Sequence, residues 1–147
     1  MKIIDLSHTI EENMPVYPGE EKSTIKQIAY VEKDGYNNHV LCTNMHTATH
    51  IDAPAHMLKN GKNITDFPAK HFIRNCFCIN AIGKKIIDED ILKNIKNIKP
   101  TDALLICTGH DKNFAKDSYY KNFPTFTPLF AQKLIDLKIS LFGFDGP

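Results

Sequence analysis

The sequence predicts one α/β domain with a mixed sheet, strand-rich in its N-terminal half and β-α-β-α-β in its C-terminal half. Three observations predict it. The 147 residues are the length of one domain. Hydrophobic residues at 42% and charged residues at 24% are the proportions of a folded globular chain and exclude disordered and low-complexity classes. In the second half, apolar runs alternate between strand and helix spacing, which implies right-handed crossovers and a parallel portion of the sheet.

In chain order, KIIDLSHTI (2–10) alternates weakly and reads as a strand, and Pro15, Pro18 and Gly19 make the following MPVYPGEE a loop. STIKQIAYV (23–31) and NHVLCTNM (38–45) flank a turn signal at 33–35 and read as strands paired in a hairpin or as neighbours. Residues 46–70 form a long irregular connection rich in His and Pro, and such segments in compact domains are usually functional. NCFCINAI (75–82) reads as a buried strand. Asp88 then caps a helix whose Ile91, Leu92, Ile95 and Ile98 keep helical spacing until Pro100. DALLICT (102–108) is the next strand. Thr127 reads as an N-cap with Pro128 at the first helical position, and Leu129, Phe130, Leu134, Ile135 and Leu137 make one apolar face up to Lys138. ISLFGF (139–144) is the last strand.

Eighteen Lys+Arg against 17 Asp+Glu leave a net charge of +1, so no global field holds a polyanion or an acidic membrane, and neither nucleic acid nor membrane is an expected partner. Asp5, Glu11 and Glu12 stand where a signal peptide would be apolar, which predicts a cytoplasmic protein. Cys42, Cys76, Cys78 and Cys107 include no Cys-x-x-Cys, and free buried thiols are expected.

Residues 46–56 read His-Thr-Ala-Thr-His-Ile-Asp-Ala-Pro-Ala-His, four ligand or proton-transfer groups in eleven positions. Imidazole and carboxylate donors suit Zn, Mn or Fe. On a straight strand His46 and His50 would stand roughly 13 Å apart, too far to share one ion, so 47–49 must fold into a tight turn or one helical turn. Pro54 then forces Ala53 toward an extended conformation as Asp52 passes. Three protein ligands with open positions are the pattern of a catalytic rather than a structural metal.

This segment resembles the His-x-Gly-Thr-His-x-Asp-x-Pro-x-His signature of the cyclase family of metal hydrolases, which includes kynurenine formamidase and isatin hydrolase. Asp5-Leu6-Ser7, Pro15-Val16-Tyr17-Pro18-Gly19-Glu20 and Gly143-Phe144-Asp145 resemble further family segments, so the resemblance runs through nearly the whole chain. It implies a swivelling β/β/α-like fold over 1–147 and a homo-oligomer. It also implies a small-molecule substrate with a formamide, amide or lactam C–N bond, and one or two Zn2+ or Mn2+ ions. By position, His46, His50 and Asp52 match metal ligands, His56 the proton-transferring histidine, and Tyr17 an aromatic residue against the substrate.

Two departures stand out. Ala48 replaces the family's glycine, which predicts a turn that keeps φ negative there. The family's second-metal His and Glu fall beyond Pro147, so the chain reads as lacking the last third of the domain, with a second metal absent or held otherwise and an apolar surface open to a partner subunit. Alongside the amidohydrolase stand a non-catalytic metal-binding or assembly remnant and a two-His-one-carboxylate iron site using His110. His8 and His71 read as surface or hydrogen-bonding residues. Asp145 reads equally as a turn cap or a group at the ligand end of the sheet. Phe123, Phe126 and Phe130 read most simply as core or interface, with a substrate wall as the lesser alternative.

Overall fold

The apolar residues alternating at 24–29 and 38–42 pair as expected. In the computed structural model, which describes residues 3–93 and 95–147, β1 (Thr24–Ala29) and β2 (Asn38–Cys42) form an antiparallel ribbon, with Thr24 opposite Cys42 and a bulge between Gln27 and Ala29. The 33–35 turn signal is one turn of helix, α1 (Val31–Asp34). Gly35 ends it at φ +78 and donates its N–H to the Val31 carbonyl at 3.0 Å, a left-handed C-cap that suits glycine. These elements belong to the first of two units, Met1–Gly61.

The expected strand at 2–10 does not form over the described residues 3–10, and Lys2 lies outside them. Alternation makes a strand only where a ladder partner takes up the backbone groups. Here Asp5 accepts the Ser7 N–H at 2.9 Å in a local turn and His8 donates its N–H to Thr49 Oγ1 at 3.1 Å, while Ile3, Ile4 and Leu6 stay exposed.

The second unit, Lys62–Pro147, holds the main core. Its strands are β3 (Cys76–Asn80), β4 (Ile86–Ile87), β5 (Ala103–Cys107), β6 (Thr125–Phe126) and β7 (Leu141–Phe144). β3, β5 and β7 make the expected parallel sheet with β5 central, and the short β4 and β6, which the sequence did not announce, pair in parallel. The central strand is apolar throughout, with Ala103, Leu104 and Ile106 buried and Leu105 and Cys107 half-buried. Leu104 is fully buried, and with Ala81, Ile87, Leu92, Ile106 and Phe130 it forms the core cluster. Each large member contributes about 1.5–3 kcal/mol by leaving water.

α2 (Pro128–Asp136) starts as its sequence specifies: the Thr127 hydroxyl accepts the Phe130 N–H at 3.1 Å, and Pro128 occupies the first turn. Its expected apolar face is only partly used. Phe130 is buried and Leu134 and Leu137 pack on the core, whereas Leu129 and Ile135 face solvent.

Two further expectations are corrected. β3 is an edge strand, not a buried one, so Cys76 and Cys78 are exposed with Cys42, and Cys107 is half-buried; the thiols are free but not buried. The expected helix from Asp88 shortens to a 3₁₀ turn, Glu89–Leu92. Asp88 does cap it, accepting the Asp90 N–H, but Asn97 at φ +66 is incompatible with a right-handed helix reaching Pro100. Asn94, inside that expected helix, lies outside the described residues. Ile91, Leu92 and Ile95 still turn to the core and leave an open groove of about 350 Å³ beside Phe77 and Ile79. No helix among the described residues is long and apolar enough to cross a membrane.

Candidate functional site

The ligand-bearing turn begins just after β2. Asn44 Oδ1 accepts the His46 N–H at 2.8 Å, a side-chain oxygen standing in for the carbonyl that opens a turn, while Asn44 Nδ2 donates to Glu20 Oε2. Residues 45–49 then bend tightly, the alternative to an extended path that chelation demands. Thr47 is 6% exposed, and its buried hydroxyl has no hydrogen-bond partner among the described residues.

Ala48 corrects the expected negative φ: it sits at +58°. A Cβ in that region costs about 1–2 kcal/mol. The Ala48 carbonyl accepts from His50 Nδ1 at 2.8 Å. A carbonyl can only accept, so Nδ1 carries the proton and Nε2 keeps its lone pair. That Nε2 lies 3.3 Å from His46 Nδ1 and 3.5 Å from Asp52 Oδ1, and His46 Nδ1 lies 2.9 Å from the same carboxylate oxygen.

Pro54 sets the next step. Ala53 is extended at φ −83, ψ 156, and Pro54–His56 forms a 3₁₀ turn closed by the His56 N–H on the Ala53 carbonyl at 2.9 Å. The turn brings the His56 ring to 4.0 Å from the His46 ring, centroid to centroid. Gly61 makes this possible: a Cβ there would lie 2.4 Å from the Pro54 carbonyl carbon, so any other residue displaces the turn that carries His56.

The donor set fits a divalent metal. Tetrahedral ligands about 2.0–2.1 Å from an ion stand about 3.3–3.4 Å from one another. The three donor pairs at 2.9, 3.3 and 3.5 Å match that spacing, and the three atoms form a potential metal-ligating group among the described residues. All donors are N or O, which suits Zn or Mn better than soft metals. Tyr17 lies on the loop joined to this turn through Glu20: it is 53% exposed, and its carbonyl accepts the Glu20 N–H at 3.0 Å across Gly19 at φ +96.

Asn44, Glu20 and Gly61 are contributors that sequence reasoning missed in these roles. An Asn two residues before His46 and the Asn60-Gly61 dipeptide are both turn signals that pointed to them.

In the second unit Asp145 is a cap. Its carboxylate accepts the Thr108 N–H at 2.7 Å, the Thr108 hydroxyl at 2.6 Å and the Gly109 N–H at 2.7 Å, tying the ends of β5 and β7. Burial works to raise its pKa, but these hydrogen bonds outweigh it and hold the carboxyl below the usual range. His110 is buried, and Nε2 donates to the Tyr119 carbonyl at 2.7 Å beside the Tyr119 and Phe123 rings. That bond puts the proton on Nε2 and leaves the lone pair on Nδ1. Burial, with the nearby Tyr120, Asp145 and Asp111, pushes the Tyr119 hydroxyl up to about 12. His71 is hydrogen-bonded, accepting from Arg74 at 3.2 Å.

Comparison with known proteins places this geometry among relatives. The profile of a family described as "Putative cyclase" matches residues 4–147. A kynurenine formamidase from Geobacillus thermodenitrificans is 30% identical over 145 residues, covering 98% of this chain and 68% of its own. A solved "potential metal-dependent hydrolase with cyclase activity" superposes with a TM-score of 0.77 at 26% identity, over 98% of this chain and 67% of its own. Isatin hydrolase A from Labrenzia aggregata shares the fold, with a TM-score of 0.81 at 22% identity over 97% of this chain and 67% of its own. The chain thus spans about two thirds of the length of these relatives.

Proposed function

The chain belongs to the cyclase family of hydrolases, and from that premise we propose that it hydrolyses a formamide, amide or lactam C–N bond, arylformamidase-like, at a metal held by His46, His50 and Asp52. The observation that carries this reading is the convergence of three N/O donors within 2.9–3.5 Å of one another, with the centroid of the His56 ring 4.0 Å from that of His46. The solved relative named a potential metal-dependent hydrolase supports the metal. The ion is Zn2+ or Mn2+, one per chain at this cluster.

When bound, such an ion lowers the pKa of water toward neutrality and polarises the scissile carbonyl. The chain's own residues do the rest. His50 is held in the tautomer that presents Nε2 by its Nδ1–H bond to Ala48, and Asp52 supplies the negative charge. His56 accepts the proton of the attacking water, the oxygen bonds to the carbonyl carbon, and the same imidazole returns the proton to the nitrogen as the C–N bond breaks. The products are a carboxylic acid (formate, from a formamide) and an amine, or, from a lactam, one ring-opened molecule carrying both groups. Tyr17 offers a ring face to an aryl substrate. Residues 1–147 belong to one cyclase-family domain, which works in a homo-oligomer on a small molecule.

The test is hydrolysis of an aryl formamide by the Zn- or Mn-loaded chain and by His56→Ala. The expected result is turnover that falls about 10²–10⁴-fold in the variant, with metal content unchanged. A metal-loaded chain that hydrolyses no formamide, amide or lactam is instead a non-catalytic metal-binding member of the family.

A further inference from the structure

We infer that Glu20 and Asn44 are positioning residues that set the metal affinity of the His46/His50/Asp52 cluster and tie it to the loop bearing Tyr17; the inference rests on the metal reading above. Asn44 uses both ends of its amide at once. Oδ1 holds the His46 N–H at 2.8 Å and Nδ2 holds the Glu20 carboxylate. The backbone of the first ligand and the end of the 17–20 turn are therefore joined through one planar group. Its orientation leaves no alternative: only Nδ2 can donate to a carboxylate and only Oδ1 can accept an N–H.

The surroundings fix Asn44 itself. Thr43 Oγ1 donates to the Asn44 carbonyl at 3.2 Å and shares a 2.6 Å hydrogen bond with Ser23 Oγ, and Ser23 is fully buried. The Ser23 carbonyl accepts the Asn13 N–H at 3.1 Å. The ligand turn is thus fastened at one end by a hydroxyl pair anchored on the buried Ser23, while Glu20 fastens the side that faces solvent. Residues one bond removed from metal ligands typically change affinity 10–100-fold when lost, because they fix the direction of the donor rather than supply one. The same linkage makes the 17–20 loop and the cluster mutually dependent: whatever displaces Glu20 from Asn44 loosens His46, and metal at His46 steadies the loop.

The test is Co2+ affinity, measured by competition and by the visible ligand-field spectrum, on the full chain and its variants, with the melting temperature of each apo protein alongside. Asn44→Ala and Glu20→Ala are each expected to weaken Co2+ binding about 10-fold or more while the apo melting temperature stays close to that of the native chain. Asn44→Asp sets a carboxylate against Glu20 and should weaken binding most. Adding Glu20→Gln to it restores a donor facing an acceptor, with the polarity reversed, and should recover most of the affinity and the native spectrum. A double variant no better than Asn44→Asp, or single variants that bind as the native chain does, overturns the inference. Losses of affinity that merely track losses of apo stability overturn it too, since they describe a structural role. A native chain that takes up no Co2+ at all overturns the metal reading, a distinct outcome, and carries this inference with it.

Discussion

The unit that carries the candidate site and the unit that carries the main core are stabilised by different means. In Lys62–Pro147, six buried apolar residues gather on a three-stranded parallel sheet, and the polar groups at the strand ends are closed by Asp145. In Met1–Gly61, the ribbon strand β2 is exposed along its whole length, and residues 43–56 are fixed by side-chain-to-backbone hydrogen bonds from Asn44, His50 and Thr49 and by two special backbone positions, Ala48 and Gly61. Packing energy is large and indifferent to direction, whereas hydrogen bonds are individually worth about 0.5–1.5 kcal/mol but fix direction. A site that must aim three lone pairs at one point is built from the second kind.

The contrast is broken most severely from the core side. Phe130→Ala should destabilise the protein by about 3–5 kcal/mol, read as a fall in the urea midpoint, because Phe130 is 1% exposed and packs against Phe126 and Phe142. An equally large loss from any exposed ligand substitution would erase the distinction between the two units. Next comes Asp145→Ala, which frees three donors and should cost about 1.5–3 kcal/mol at neutral pH. The folded-state pKa of Asp145 lies below its unfolded value of about 3.9, so its contribution is whole above that pH and is lost as pH falls through the folded value. The variant should therefore show a shallower loss of stability below about pH 4 than the native chain, in acid titrations followed by circular dichroism. The smallest effect is of opposite sign. Ala48→Gly relieves the left-handed Cβ and should stabilise the apo protein by up to about 1 kcal/mol, provided the Ala48 carbonyl keeps its bond to His50.

The same division explains what the sequence revealed. α2 was legible because Thr127 and Pro128 specify its start locally, and β5 because a run of buried aliphatic residues has few other uses. The strand expected at 2–10 and the helix expected from Asp88 failed where a local pattern depended on something distant: a ladder partner in one case, and a backbone free of left-handed residues such as Asn97 in the other. The exposure of Cys76 and Cys78 follows from β3 lying at a sheet edge, which no run of residues announces. In the candidate site, the grouping of His46, His50, Asp52 and His56 and the need for a tight turn were legible from spacing. The handedness of Ala48 was not, because it accompanies a hydrogen bond to a side chain two residues on, and the close approach of Gly61 to Pro54 depends on how the chain returns.

The measurement that tests the central claim most directly is metal content per chain by elemental mass spectrometry, for the native protein and for Asp52→Ala, after reconstitution with Zn2+ or Mn2+. Asp52 is about half exposed and its partners lie near the surface, so its removal should change apo stability by no more than about 1 kcal/mol. The account predicts about one ion per native chain and none in the folded variant. No ion in the native chain, or an ion retained by Asp52→Ala, would contradict it.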